Sequence, residues 1–140
     1  MTKNYKILGK YIKDLSSETK DPETYLFVRE NISKYQLSID ITSRPLKNRF
    51  VEINTTLNFE DKSENDKKSY FEIVYATIIQ TDEGIKEKKD MEKIILCDVQ
   101  IEIYPDLEKA LLDLLHNSGY PNIKFEKKVD FEKLYNERKN

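Results

Sequence analysis

The stretch SYFEIVYATIIQT, residues 69–81, decides how the rest of the chain is read. Phe71, Ile73, Tyr75 and Ile79 alternate onto one side, while Tyr70, Val74, Ala76 and Ile78 occupy the other. A period of two among β-branched and aromatic residues marks a strand. Apolar residues on both sides mark a strand covered on both faces. A small domain can cover one face with its own helix. The second face then calls for a partner subunit or a bound chain.

Working outward, the two segments before it are cleaner. YQLSIDIT (35–42) alternates Tyr35, Leu37, Ile39 and Ile41 with polar residues, and RFVEINTTLNFE (49–60) places Val51, Ile53, Thr55, Leu57 and Phe59 on one face. SRPLKN (43–48) supplies the turn between them, and the wholly polar DKSENDKK (61–68) reads as a solvated hairpin connection. Near the N-terminus, NYKILGKYIKD (4–14) is also strand-like, but its period is blurred: Tyr5, Ile7 and Tyr11 share one face, Leu8 and Ile12 the other.

Downstream, EGIKEKKDMEK (83–93) is charged and reads as a flexible crossover or a short helix, and IILCDVQIEI (94–103) is expected to be extended, with Val99, Ile101 and Ile103 alternating. A helix is then expected to start at Pro105, since proline suits a first turn where its missing N–H costs nothing. Leu107, Ala110, Leu111, Leu114 and Leu115 form its apolar stripe, widened by Leu112. Ser118-Gly119 stops it, glycine being able to take the left-handed conformation. DFEKLYNERK (130–139) closes the chain as a short helix with Phe131, Leu134 and Tyr135 at helical spacing. The expected class is α+β: a four-stranded antiparallel sheet with a long helix and a short C-terminal helix packed on one side, in a single domain over residues 1–140.

Composition narrows the function. The 24 basic and 26 acidic residues nearly cancel, which argues against a nucleic-acid partner. Cys97 is alone, so no intrachain disulfide and no CxxC metal motif can form. MTKNYKILGKYIKD lacks the apolar core of a signal peptide, and no apolar run approaches the roughly 20 residues of a membrane helix. A cytoplasmic protein without direct membrane insertion is therefore expected.

Chemistry finds little to work with. His116, the one histidine, falls at a helix C-terminus, where the dipole favours its cation and a capping role is the simpler reading. Cys97, between Leu96 and Asp98, reads as a small packed residue rather than a nucleophile. One His and one Cys cannot build a typical zinc site, and three glycines cannot build a phosphate loop. No enzyme, cofactor or metal is expected. Nine tyrosines and six phenylalanines supply core packing or, alternatively, an aromatic-lined groove for an extended apolar peptide.

Five motifs in order resemble the protein-export chaperone family SecB. YIKDLSSE (11–18) is similar to the family's first-strand pattern Tyr-x-Lys-Asp-Leu/Ile-Ser-x-Glu. SRPL (43–46) is similar to a family turn, and FEIVYATII (71–79) to its fourth strand. YPDLEKALLDLLHNSGYPNI (104–123) resembles the family's Phe-Pro, long helix, Gly-Phe-Pro pattern, and VDFEKLY (129–135) its Asp-Phe-x-x-Leu-Tyr/Phe close. Ala76 and Thr77 replace two usual glycines, Ser17 a common Phe, and Lys128 a common Pro.

The resemblance implies a homotetramer, a dimer of dimers with long helices packed between sheets. It implies ATP-independent holding of unfolded preproteins and their transfer to the SecA translocation motor. It also implies a client groove drawn from Leu37, Ile39, Ile85, Ile101, Phe131, Leu134 and Tyr135, and a SecA contact at Asp14, Glu18, Tyr70 and Glu72. The Leu107, Leu111, Leu114 and Leu115 stripe is then expected to serve as core and oligomer interface. Two alternatives stay open: a SecB-like chaperone dedicated to one partner such as an antitoxin, and a small α+β enzyme.

Overall fold

The computed structural model of the protein describes residues 4–125 and 128–139, with the side chain of residue 139 excepted. Strands β1 (Tyr5–Glu18), β2 (Gln36–Pro45), β3 (Phe50–Glu60) and β4 (Tyr70–Thr81) form one antiparallel sheet in the order β1-β4-β3-β2. The register places Val51 opposite Ile79, Leu57 opposite Ile73, and Phe59 opposite both Phe71 and Leu37. These residues and their same-face neighbours build the core against the helical layer.

Strand β1 explains its own blurred pattern. Its pairing with β4 shifts between Ile7 and Gly9 and again between Ile12 and Asp14, so Leu8 and Lys13 are bulge residues. Each extra residue flips the alternation. Tyr5 and Ile7, then Lys10 and Ile12, then Leu15 and Ser17 therefore share the helix-side face. A strict period of two cannot describe such a strand.

The sheet order forces a crossover that the sequence reading put elsewhere. Strands β1 and β2 lie at opposite edges, so the chain between them must traverse the end of the sheet. That traverse carries helix α1 (Pro22–Asn31), capped by Asp21, whose carboxylate accepts from the Thr24 N–H at 2.7 Å, with proline in the first turn. Val28 buries completely, and the Tyr25 hydroxyl donates to the Gly119 carbonyl at 2.8 Å. Gly119 has φ +107, and a Cβ there would meet Tyr25 Cε1 at 2.6 Å, so glycine is required twice over.

The helical layer also departs from expectation. Residues 94–103 are not extended: α2 (Lys88–Lys93), a π-helical turn (Ile94–Asp98) and α3 (Val99–Asn117) run on as one helix. Pro105 lies inside α3 rather than at its start, which leaves the Ile101 carbonyl without its usual helical donor. The buried series Gln100, Ile103, Tyr104, Leu107, Leu111 and Leu115 has helical spacing. Upstream, the π turn inserts a residue, which keeps Ile95 on the same side as Gln100 although they are five apart. The sequence of that turn looks strand-like because the insertion breaks the helical period.

Gln100 is the polar joint between layers. It is fully buried, its Nε2 donates to the Ile95 carbonyl at 3.2 Å, and its Oε1 accepts from the Thr55 hydroxyl of β3 at 3.0 Å. Replacing Gln100 by Leu leaves the buried Thr55 hydroxyl without its acceptor, and stability should fall by about 1–3 kcal/mol in a urea titration. Adding Thr55→Val should recover part of that loss. An unchanged urea midpoint for Gln100→Leu would show that the joint contributes nothing.

Candidate functional site

Strand β2 pairs only with β3, so among the described residues its outer edge carries no strand. Along the helix-side face of β2 lies a trough of about 650 Å³, walled by Leu37 and Ile39 on the sheet and by Lys124, Phe125, Lys128, Val129 and Leu134 opposite. It continues into a cavity of about 240 Å³ lined by Ile41, Leu96, Phe131, Tyr135 and Arg138, which shares Ile39 and Leu134 with the trough. At its other end a cavity of about 320 Å³ reaches Tyr35 and Phe59.

Helix α4 (Phe131–Lys139) makes the far wall. Asp130 accepts from the Lys133 N–H at 3.0 Å and so caps its start. Phe131 is buried edge-on against Tyr104, with ring centroids 5.3 Å apart, which anchors α4 on α3. Leu134, on the next turn of the helix, is 48% exposed at the edge of the trough. Below the opening, Tyr35, Phe59, Phe71, Tyr120 and Phe125 form a linked set of rings with neighbouring centroids 5.5 to 6.3 Å apart.

Five of the residues expected in a groove are therefore brought together: Leu37, Ile39, Phe131, Leu134 and Tyr135. Ile85 and Ile101 are not. Ile85 packs against the core beyond the end of β4, and Ile101 is 49% exposed on α3. Their expected place in the groove came from the family resemblance, not from the periodicity of these segments. The sequence reading missed the groove contributions of Phe125, Val129 and Leu96. Phe125 and Val129 lie in a segment without regular structure, which no periodicity marks.

Leu107, Leu111 and Leu115 are fully buried between α3 and the sheet of their own chain, and Leu114 is partly buried. The fully buried three offer no surface to a second copy, which corrects their expected place in an oligomer contact. Exposed apolar side chains gather instead on the edge strand β1, at Leu8, Tyr11, Ile12 and Leu15.

Asp14, Glu18, Tyr70 and Glu72 share the sheet face away from the helices. Glu18 pairs with Tyr70, Ser16 with Glu72, and Asp14 with Val74. Hydrogen bonding to Glu72, then partial burial and the charges of Glu72, Asp14 and Glu60, raise the Tyr70 phenol above its ordinary value. On the same face Glu52 is nearly buried beneath Arg44 and Lys13, at 3.3 and 3.7 Å. Those long side chains lie across the sheet and give the second face a thin cover of its own.

The candidates for chemistry stay apart. His116 is exposed, with Nε2 3.0 Å from the Ile123 carbonyl, so it ties α3 to the loop that follows. Cys97 is buried in the helical layer, and burial, with the charge of Asp98 adding, pushes its thiol up and away from reactivity. Among the described residues no group of His, Cys, Asp and Glu side chains could hold a metal ion. No described helix is long and apolar enough to cross a membrane.

An antiparallel sheet backed by one interrupted helix, with an open apolar trough beside a strand edge that no described strand covers, defines an α+β architecture. The family model described as preprotein translocase subunit SecB matches residues 1–140. The chain is 59% identical over 140 residues to a Pelagibacter ubique (strain HTCC1062) chain assigned provisionally to protein-export SecB, with all of both chains covered. A protein-export protein SecB of Rhodospirillum rubrum is 25% identical, with 94% of this chain and 80% of that protein covered. Among solved structures, a Mycobacterium tuberculosis SecB-like chaperone in complex with a ChAD peptide from the HigA1 antitoxin shares the fold. Its TM-score is 0.62 at 12% identity, covering 89% of this chain and 91% of that one. The protein belongs to the SecB family of protein-export chaperones.

The nearly buried Glu52 sets a pH dependence. Burial pushes its carboxyl up, but the hydrogen bond from Asn54 and the charges of Lys13 and Arg44 together outweigh burial, so it titrates below its ordinary value. A depressed carboxyl contributes stability above its unfolded pKa and loses it as pH falls through the folded value. Acid titration of Glu52→Gln should therefore show a shallower loss of stability than the natural protein below about pH 4.5. Superimposable acid limbs would count against the Arg44–Glu52–Lys13 assignment.

Proposed function

We propose that the protein is an ATP-independent holdase, acting in the cytoplasm, that keeps secretory preproteins unfolded and passes them to SecA. The observation that carries this reading is the trough itself, an apolar channel open to solvent along β2, whose outer edge pairs with no strand among the described residues. Main-chain groups of an edge strand can bond any extended client, and an apolar trough accepts side chains without reading their identity. Partners need no nucleotide, since binding the unfolded state opposes folding by mass action. No catalytic step is part of the proposal.

The acidic set Asp14, Glu18 and Glu72, with Tyr70, lies on the sheet face opposite the groove and suits a SecA contact that leaves the client in place. Self-association into a homotetramer is part of the same reading. The exposed residues of β1, an edge strand of 14 residues, and Ile101 on α3 are the surfaces proposed for it.

In a refolding assay, stoichiometric protein should slow the folding of an unfolded secretory precursor and ignore the folded one. Native mass should correspond to four chains. Leu134→Asp, at an exposed position, should weaken precursor capture about tenfold or more while shifting the urea midpoint little. Capture that is indifferent to Leu134→Asp, or equal for folded and unfolded precursor, would reject the groove. Independently, Asp14→Lys or Glu72→Lys should weaken SecA binding roughly three- to tenfold by calorimetry at unchanged native mass. Unchanged affinity would reject that face.

A further inference from the structure

The sheet has two edges that no described strand covers, and they are not equivalent. Strand β1 is bulged at Leu8 and Lys13, so a chain laid along it meets a face that changes twice. Strand β2 pairs with β3 without a shift from Gln36 to Pro45. Among the described residues no backbone hydrogen bond outside the sheet engages residues 36–45, which leaves the outward N–H and C=O groups of β2 to solvent or to an added strand. The two faces of β2 differ in kind. On the helix side Leu37 stands opposite Phe59 and Ile39 opposite Leu57. On the other side Ser38, Asp40 and Thr42 stand opposite Asn58, Thr56 and Asn54, so that face is polar two strands deep.

The cavities on the helix side repeat with the strand. Tyr35, at the entry to β2, and Leu37 share the cavity of about 320 Å³. Leu37 and Ile39 share the trough of about 650 Å³, and Ile39 and Ile41 the cavity of about 240 Å³. Each step is two residues, roughly 6.7 Å along a strand. The side chains of an added strand recur at that same interval on that same face. Resting on the groove reading above, we infer that this protein selects client segments by period, preferring extended stretches with apolar side chains at i, i+2 and i+4 and polar side chains between them. The client pairs along β2, its apolar side chains enter successive cavities, and its polar side chains continue the face of Ser38 and Asp40. At equal composition, a segment with contiguous apolar residues must turn at least one of them onto the polar side, where its area stays in water. The favoured period is that of strands half-buried in the client's final fold, not that of an amphipathic helix. Selection by period leaves side-chain identity open, as a binder of many sequences requires.

The test uses two labelled peptides of one composition, with Leu, Phe and Leu either alternating with Thr or contiguous between Thr residues. Both are titrated against the full chain by fluorescence anisotropy, at concentrations where each peptide alone is monomeric. The alternating peptide should bind roughly three- to tenfold more tightly than the contiguous one. Methylating the backbone amides of both peptides removes their donors and blocks approach along either edge, and should abolish the difference. Leu134→Asp, which alters the trough and not the edge, should weaken both unmethylated peptides. Equal affinities, a preference for the contiguous peptide, or a preference for alternation that survives methylation overturns the inference while leaving the groove reading intact. Failure of both peptides to bind, or binding indifferent to Leu134→Asp, overturns the groove reading, and this inference with it.

Discussion

The buried amide of Gln100 is the constraint on which the arrangement turns. A fully buried polar side chain is tolerated only when its donors and acceptor find partners, and Gln100 finds one in each layer, the Thr55 hydroxyl on the sheet and the Ile95 carbonyl on the helix. This sets the rotation of α3 over β3 where purely apolar contacts would permit sliding. It also holds the π turn at Ile94–Asp98, because the Ile95 carbonyl is reached only if one extra residue is wound into the helix.

The groove follows from that turn. Leu96, within it, lines the inner cavity, and Tyr104 one helical stretch later receives Phe131, which seats α4. With α4 held at its buried first residue and exposed at Leu134, a channel remains between it and the edge strand β2. The sheet order then separates surfaces by face and by edge. The helix side of β2 carries the apolar trough, the opposite face of β1 and β4 gathers the acids, and the edge strand β1 collects exposed apolar side chains.

How much was legible depended on whether a period survived. Strands β2, β3 and β4 were readable almost to their ends because each keeps its alternation without a bulge. Gly119 was readable as a helix stop because a positive φ leaves few residue choices. Helix α1 went unread: its apolar residues are sparse, and its cap Asp21 and Pro22 are a signal only once a helix is sought there. Of the leucine stripe, Leu107, Leu111 and Leu115 are covered by their own sheet, since periodicity shows that a face is covered but not by which chain.

The sequence by itself determined the sheet, the family resemblance and the amphipathic second half of α3, because those rest on local alternation, helical spacing and ordered motifs. The tertiary structure alone decided that residues 94–103 are helical, since an inserted π residue disguises a helical period as an extended one. It alone decided the groove. Leu37 and Leu134 become two walls of one trough only when β2 is an edge strand and α4 is anchored through Tyr104, and neither condition is written near either leucine.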